Sequence, residues 1–434
     1  MSVFKTMLSY INIVNFKSIG KVELDLGRIN VFIGANRSGK STIAHAMCLL
    51  KQSNGGLQWD GPYIKLGSFE NAVKKNSRPK ILGLRVGGVL SASNELTTII
   101  RGSEITFGLH IASAGPITEI DVSLGGGPQG FNQEIISGTI TSRGNQVVKE
   151  LHVGKFSFTV SGKLDPHYPL HITGHSATTD SDRNQYEITL NAIEELIRSF
   201  GRQFNLFSFI PVTRGFDRPS YVMYDGPPAD AMTSEGTTRQ AESLANQIAY
   251  SNRKIEDRVN ELLRKVIPGV EIRQYPAANK NIAIVSKDET GEYNIIHEGF
   301  GLNQLAFLFS QLVATEPNAT LFIEEPEISL HPSLQMSVCS ILVEAALKES
   351  KQLVITTHSE HILLGILESV MEKKIDPDAI RVYHFERDDH GDTKVTKLKV
   401  NSLGELEGGL KGFFEVDMQH IEKFFERLRK EKEK

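Results

Sequence analysis

One octapeptide constrains this chain more than any other feature. Gly34-Ala35-Asn36-Arg37-Ser38-Gly39-Lys40-Ser41 fits the pattern G-x-x-x-x-G-K-[ST]. A β-rich run, Ile29-Asn30-Val31-Phe32-Ile33, leads into it. A helical pattern over residues 41–51 follows, with Ile43, Ala46, Met47 and Leu50 on one side. Glycines in such a loop let backbone N–H groups turn inward around phosphate oxygens. The N-terminus of the following helix adds a dipole that favours an anion. The pattern gives Lys40 to the β- and γ-phosphates of a nucleotide and Ser41 to a Mg2+ ion. Asn36, Arg37, Ser38, Gly39, Lys40, Ser41 and Thr42 are therefore the candidate nucleotide-binding set.

Two further strand ends carry chemistry of the same kind. Leu321-Phe322-Ile323 is an apolar β run that ends in Glu324-Glu325-Pro326-Glu327. A phosphate loop needs a carboxylate at a strand end to hold the magnesium shell. It also needs a base or water-positioning group beside the γ-phosphate. Glu324 suits the first role and Glu325 the second. Leu353-Val354-Ile355-Thr356-Thr357 is another apolar run, ending at His358, a side chain able to hydrogen-bond a γ-phosphate and register its presence.

The rest of the chain supplies the frame. Residues 9–15 and 22–26 alternate polar and apolar side chains, as strands do. From 81 to 172, short β-type runs recur at 81–86, 104–111, 119–124, 135–140 and 155–160, punctuated by Gly, Pro, Asn and Ser. They predict an antiparallel layer of hairpins. Residues 184–201 and 239–266 read as helices, the second as one long amphipathic helix facing the core. Residues 207–211 read as a buried strand, and 214–238, rich in Pro, Gly and Asp, as a long exposed loop. Strands at 320–323, 352–356, 380–385 and 395–400 then alternate with helices at 333–349 and 361–374. The tail over 415–434 reads as a solvated helix, and Asp376-Pro377-Asp378 as a turn.

Composition excludes several classes. The net charge of −4 over 434 residues leaves no global basic field to hold nucleic acid. Lys74, Lys75, Arg78 and Lys80 form a local basic cluster, and Arg253, Lys254, Arg258, Arg264 and Lys265 line the long helix; both read as solvated surface. Two cysteines, Cys48 and Cys339, make neither a disulfide framework nor a four-cysteine zinc site, and both sit on apolar helix faces. No apolar run reaches the roughly 18–20 residues that span a bilayer. The first ten residues lack a signal-peptide core, so a cytoplasmic location without membrane contact is expected.

Together the three strand ends resemble the ATP-binding-cassette ATPases, and more closely their soluble branch, which includes RecF, SMC proteins and OLD-family ATPases. Ile11-Asn12-Ile13-Val14-Asn15-Phe16-Lys17-Ser18-Ile19 looks like the opening strand of that branch. Glu324-Glu325-Pro326-Glu327-Ile328-Ser329-Leu330-His331-Pro332 looks like the Walker B and D-loop of OLD-like proteins, and Thr357-His358-Ser359 like their switch histidine. Lys65-Leu66-Gly67-Ser68-Phe69-Glu70-Asn71 resembles another OLD-like stretch, where the lobe-coupling loop should lie, but it has no glutamine. The resemblance implies an α/β fold: an ABC-type P-loop ATPase head with a mixed sheet core, an antiparallel β layer and a helical lobe. The implied divisions are 1–80 for the N-terminal part of the core, 81–183 for the β layer, and 184–300 for the helical lobe and signature region. Residues 301–400 would complete the core, and 401–434 would be a C-terminal extension.

In that family two heads sandwich two ATPs, and a signature loop of one head closes on the γ-phosphate held by the other. Gly299-Phe300-Gly301-Leu302-Asn303-Gln304 resembles the signature of the OLD-like group, which makes Gly301 and Asn303 candidate nucleotide contacts in trans. Gly301 stands where transporters have serine, and Asn303 where close relatives often have serine; backbone N–H groups at the helix start can serve instead. The resemblance further implies ATP and Mg2+ as cofactors, and a homodimer or higher homo-oligomer. It also implies a separate effector protein and DNA as a further candidate partner. Such ATPases act in phage defence or DNA maintenance, and the chain is expected to lack the nuclease domain of OLD nucleases. A low-turnover, ATP-dependent scaffold for a partner toxin or nuclease is the alternative reading. A transporter subunit fits poorly, because the standard signature is missing and the β insert is large.

Overall fold

The computed structural model describes residues 5–53, 58–91, 104–112, 115–125, 136–142, 147–153, 156–162, 171–175, 206–226 and 236–407. The expected helices at 184–201 and 415–434 lie outside these residues. The strands are β1 (Lys5–Phe16), β2 (Ile19–Asp25), β3 (Ile29–Gly34), β4 (Ile81–Ser91), β5 (Glu104–Ala112), β6 (Gly115–Gly125) and β7 (Ile136–Ser142). They continue with β8 (Val147–Val153), β9 (Phe156–Gly162), β10 (His171–His175), β11 (Phe207–Ile210), β12 (Tyr221–Val222), β13 (Glu271–Ala277), β14 (Asn281–Asp288) and β15 (Gly291–Asn294). The last four are β16 (Thr320–Glu324), β17 (Gln352–Thr357), β18 (Ile380–Arg387) and β19 (Thr393–Leu398). The helices are α1 (Lys40–Gln52), α2 (Phe69–Ala72), α3 (Gly236–Tyr250), α4 (Lys254–Val266), α5 (Phe300–Ala314), α6 (Pro332–Lys348) and α7 (Glu360–Met371).

Among the described residues, the core sheet runs β11-β16-β17-β3-β18-β19. Its first five strands are parallel and only β19 is antiparallel. Such strands are apolar throughout because both faces are covered. Ile29, Val31 and Ile33 of β3 point into one hydrophobic cluster and Phe32 into the other. Phe322 of β16 and Val354 of β17 join Phe32, while Leu321, Ile323, Leu353 and Ile355 face the opposite side. The Phe32 ring meets Phe322 edge-on at 6.0 Å and Tyr383 at 5.8 Å. Helices α3 to α7 contribute to the cluster on the second face, and α1 with β1, β2 and β4 to that on the first.

The antiparallel layer is a nine-stranded sheet among the described residues, ordered β10-β9-β8-β7-β6-β5-β4-β1-β2. It includes the opening hairpin β1–β2 as well as the runs expected after residue 81; β8 and β10 add two strands that the residue pattern had not suggested. Gln352 stitches this layer to the core sheet. Its amide accepts from Leu8 N (3.2 Å) and donates to Leu8 O (2.7 Å) and Gly27 O (2.8 Å). Cys48 and Cys339 are both buried, as expected.

Two local expectations need correction. Residues 239–266 are not one helix: α3 ends at Tyr250, and Asn252 and Arg253 take left-handed backbone angles (φ 52° and 67°) before α4 begins. Ser251 Oγ accepts from Ile255 N, in the first turn of the new helix, at 3.2 Å. The 214–238 segment is not simply an exposed loop either, because Arg214, Phe216 and Tyr221 are buried and β12 pairs with β14. Strands β12 to β15 form a small sheet beside α3 to α5, inside a region expected to be helical. Asp376 does begin a turn, accepting from Asp378 N at 2.8 Å. Among the described residues, no helix is long and apolar enough to cross a membrane.

Candidate functional site

Parallel strands place their carboxyl ends on one edge of a sheet, and ligands of open α/β sheets bind there. β3 ends at Gly34, β16 at Glu324 and β17 at Thr357, with β17 between the other two. The phosphate loop, the carboxylate pair and His358 therefore meet at one edge, although they are far apart along the chain.

The loop is shaped by its glycines. Gly34 (φ 143°) and Gly39 (φ 108°) lie where side chains are strained. A Cβ on Gly34 would sit 2.1 Å from Phe385 O. Gly39 precedes α1 with no side-chain cap; Thr42 N bonds Gly39 O at 3.0 Å, and no side chain occupies the start of the helix, where an anion is favoured. Ala35, Asn36, Arg37 and Ser41 are exposed, while Ser38, Lys40 and Thr42 are buried. Lys40 Nζ donates to Gly34 O (2.8 Å) and Ala35 O (2.9 Å). Burial lowers its pKa to about 8, against the raising influence of Glu325, Glu327 and Glu324.

The three glutamates behave differently. Glu324 is buried, and burial raises its pKa despite hydrogen bonds from Ser41 and from Val212 N (3.3 Å to Oε2). Glu325 is more open and faces His358 Nε2 at 3.4 Å. That hydrogen bond holds its carboxyl below the usual range, so it is ionised at neutral pH. Glu325 has a left-handed backbone (φ 42°), held in part by its N–H bond to Thr356 O (2.8 Å). Glu327 Oε1 accepts from Thr357 Oγ1 (2.7 Å) and His358 N (2.8 Å), which ties the end of β17 to the carboxylate turn.

The site has room in its chemistry for magnesium and phosphate. Ser38 Oγ and Glu324 Oε1 are buried and have no protein partner. Hard oxygen ligands suit Mg2+, which is commonly held by one or two side chains together with substrate phosphates. Among the described residues, no group of three or more His, Cys, Asp or Glu side chains forms a self-sufficient metal cage. The residues fit the shared kind of site.

Two features were not legible beforehand. Arg214 is buried at 4% exposure and donates to Glu324 O (2.7 Å) and Glu325 O (2.9 Å). Its only sequence signal was its place just after β11, which pairs with β16 and ends on the same edge. Glu327 stands in the motif, but its spacing alone assigns it no role. The Asn303 side chain is turned inward, and both its ends bond the backbone of Phe216, each at 2.8 Å. Gly301 is required by close packing, since a Cβ would lie 2.8 Å from Ser329 O. Gly299 and Phe300 leave the start of α5 exposed, Phe300 at 59%. His331 caps α6, where its ring accepts from Ser333 N.

The basic clusters divide. Lys74 pairs with Asp392 and Lys80 with Glu70, while Arg258 and Lys265 pair with Glu344, and Arg264 with Glu271. Lys75, Asn76, Ser77, Arg78 and Lys80 line an open cleft of about 530 Å3.

The sequence pattern of the AAA ATPase domain matches residues 7–84 and 158–363. No curated protein matches the chain. Among solved structures, an Smc head bound to the C-winged helix domain of ScpA is similar at 13% identity, covering 90% of this chain and 98% of that one, with a TM-score of 0.49. The Pyrococcus furiosus Smc head with an extended coiled coil, bound to the C-terminal domain of ScpA, is similar at 12% identity, covering 98% and 100%, with a TM-score of 0.47. The SMC head domain of Thermotoga maritima is similar at 12% identity, covering 91% and 99%, with a TM-score of 0.42.

Proposed function

The chain belongs to the AAA ATPase domain family, and from that premise we propose that it is an ABC-type head that binds and hydrolyses ATP as a dimeric switch. The observation that carries this reading is the meeting of Lys40, Glu324, Glu325 and His358 at the carboxyl edge of one parallel sheet, with Glu325 and His358 3.4 Å apart. Backbone N–H groups of residues 36–42 and the Lys40 ammonium receive the phosphates. Ser41 and Glu324 would hold Mg2+, which when bound neutralises charge on the β- and γ-phosphates. Glu325, kept ionised beside His358, takes the proton of the attacking water. His358 registers whether the γ-phosphate is present. The exposed start of α5, with Gly301, closes on the nucleotide of a second copy. The output goes to nucleic acid or to a partner effector, in phage defence or DNA maintenance. The basic cleft at Lys75 and Arg78 is a candidate contact for a polyanion.

Asn303 favours a second reading. Its amide is committed inside its own head, so the closing surface relies on backbone donors. Such a head suits a low-turnover scaffold that assembles with ATP and hydrolyses it slowly.

Light scattering of wild type and Glu325→Gln, with and without Mg-ATP, tests the switch. The variant is expected to double in mass only with Mg-ATP and to hydrolyse at least about 100-fold more slowly, the lower end of a general base's usual contribution. A mass independent of nucleotide refutes closure driven by ATP. A slow wild type that stays dimeric with ATP selects the scaffold.

A further inference from the structure

A short stretch of chain is fastened at one end to the carboxylate pair and at the other to the helix that begins with the exposed 299–301 turn. It leaves β11 and runs over residues 211–216. Arg214 Nη1 donates to Glu324 O (2.7 Å), and more weakly to Pro211 O (3.4 Å), while Nη2 donates to Glu325 O (2.9 Å). Two residues later, Phe216 N donates to Asn303 Oδ1, and Asn303 Nδ2 donates to Phe216 O, both at 2.8 Å. The Phe216 ring packs edge-on against Phe307 of the same helix, with centroids 5.5 Å apart. Gly215 joins the two attachments with φ 139°, a conformation that a side chain would strain, and it faces the Asn303 amide. The segment therefore has little slack between helix α5 and the main chain of Glu324 and Glu325.

A buried arginine is an expensive way to hold two carbonyl groups. Its two nitrogens span adjacent peptide oxygens as a planar fork, which a lysine ammonium cannot reproduce. One of those oxygens belongs to Glu325, whose left-handed backbone has to be enforced by its surroundings.

We propose that Arg214 is a positioning residue for Glu325, and that Asn303, Phe216 and Arg214 form a link through which the placement of α5 sets the geometry of the base. Closure of the 299–301 turn on a second head would then be felt at the carboxylate pair of its own head. The proposal rests on the reading of Glu325 as the base and of α5 as the closing helix.

The test uses the full chain as wild type, Arg214→Lys, Asn303→Ala, the double variant and Glu325→Gln. ATP stoichiometry is measured by titration with a fluorescent ATP analogue, and the chemical step by single-turnover hydrolysis. A misplaced catalytic group can lose about 100-fold in rate. Arg214→Lys and Asn303→Ala are each expected to slow single turnover by about 10- to 100-fold, with one nucleotide still bound per chain. A lesion of folding alone would lower stoichiometry instead and leave the rate of the remaining sites unchanged. The double variant is expected to be no slower than the slower single one, because both cut one chain of contacts. Rates multiplying in the double variant, or single-turnover rates within twofold of wild type, overturn the link. If Arg214→Lys fails to fold, Asn303→Ala, at the other end of the segment, decides by the same two readouts. If Glu325→Gln hydrolyses normally, the assignment of the base has failed; normal rates in the other variants beside a slow Glu325→Gln reject the link alone.

Discussion

Glu327 gives the sharpest quantitative expectation. The residue is 8% exposed, and Oε1 receives the Thr357 hydroxyl at 2.7 Å and the His358 N–H at 2.8 Å. Thr357 is fully buried. Glu327→Ala leaves both donors without an acceptor, at about 1–3 kcal/mol for a buried unsatisfied group. The His358 N–H is less enclosed than the Thr357 hydroxyl, so a total of about 2–4 kcal/mol follows. At about 2.1 cal/mol/K per residue, unfolding all 434 residues gives an entropy of roughly 0.9 kcal/mol/K. The melting temperature should therefore fall by about 2–5 °C. Glu327→Gln is the control. Its amide oxygen can still accept both bonds, and it removes a charge whose burial already raises the pKa. A raised carboxyl pKa means the ionised form is disfavoured in the fold, so the neutral isostere should melt within about 1 °C of wild type or above it at pH 7. Differential scanning fluorimetry of the three proteins at pH 7 checks the order. Equal melting temperatures for wild type and Glu327→Ala would sink the argument that this carboxylate ties β17 to the turn.

Two other expectations follow from the same structure. Gly34→Ala places a Cβ 2.1 Å from Phe385 O at φ 143°; the backbone strain alone is about 1–3 kcal/mol, so nucleotide binding should be lost, and an ATP titration indistinguishable from wild type would refute the need for glycine. Glu344 is held at a pKa of about 2 by hydrogen bonds from Lys265 and Lys348. A depressed carboxyl pKa contributes stability above the unfolded value and loses it as pH falls from about 4.5 toward about 2. Discounted for solvent screening, Glu344→Gln should cost on the order of 1 kcal/mol at pH 7. Urea titrations of both proteins should show that gap narrowing below pH 4.5, and a gap that is flat with pH would show that the ion pairs contribute nothing.

The residue pattern alone determined the parts of this protein that local rules govern. An octapeptide with two obligatory glycines, placed between a β run and a helical run, admits one arrangement of backbone N–H groups, and Gly34 and Gly39 take the positive φ it requires. The apolar runs ending at Glu324 and Thr357 are buried on both faces, so they had to be central strands, and parallel pairing puts their last residues on one edge of the sheet. Tertiary structure decided what no local rule reaches. Arg214 sits in a Pro- and Gly-rich stretch that reads as exposed, and only the pairing of β11 with β16 carries it beneath the carboxylates. Asn303 looks like a nucleotide contact in its motif, yet the packing of Phe216 against α5 turns its amide inward. The break at Asn252 and Arg253 is invisible to hydrophobic periodicity, because both helices keep an apolar face toward the same core. Periodicity and motif spacing report on neighbours along the chain, whereas a buried guanidinium or a turned amide answers to groups that only the fold brings near.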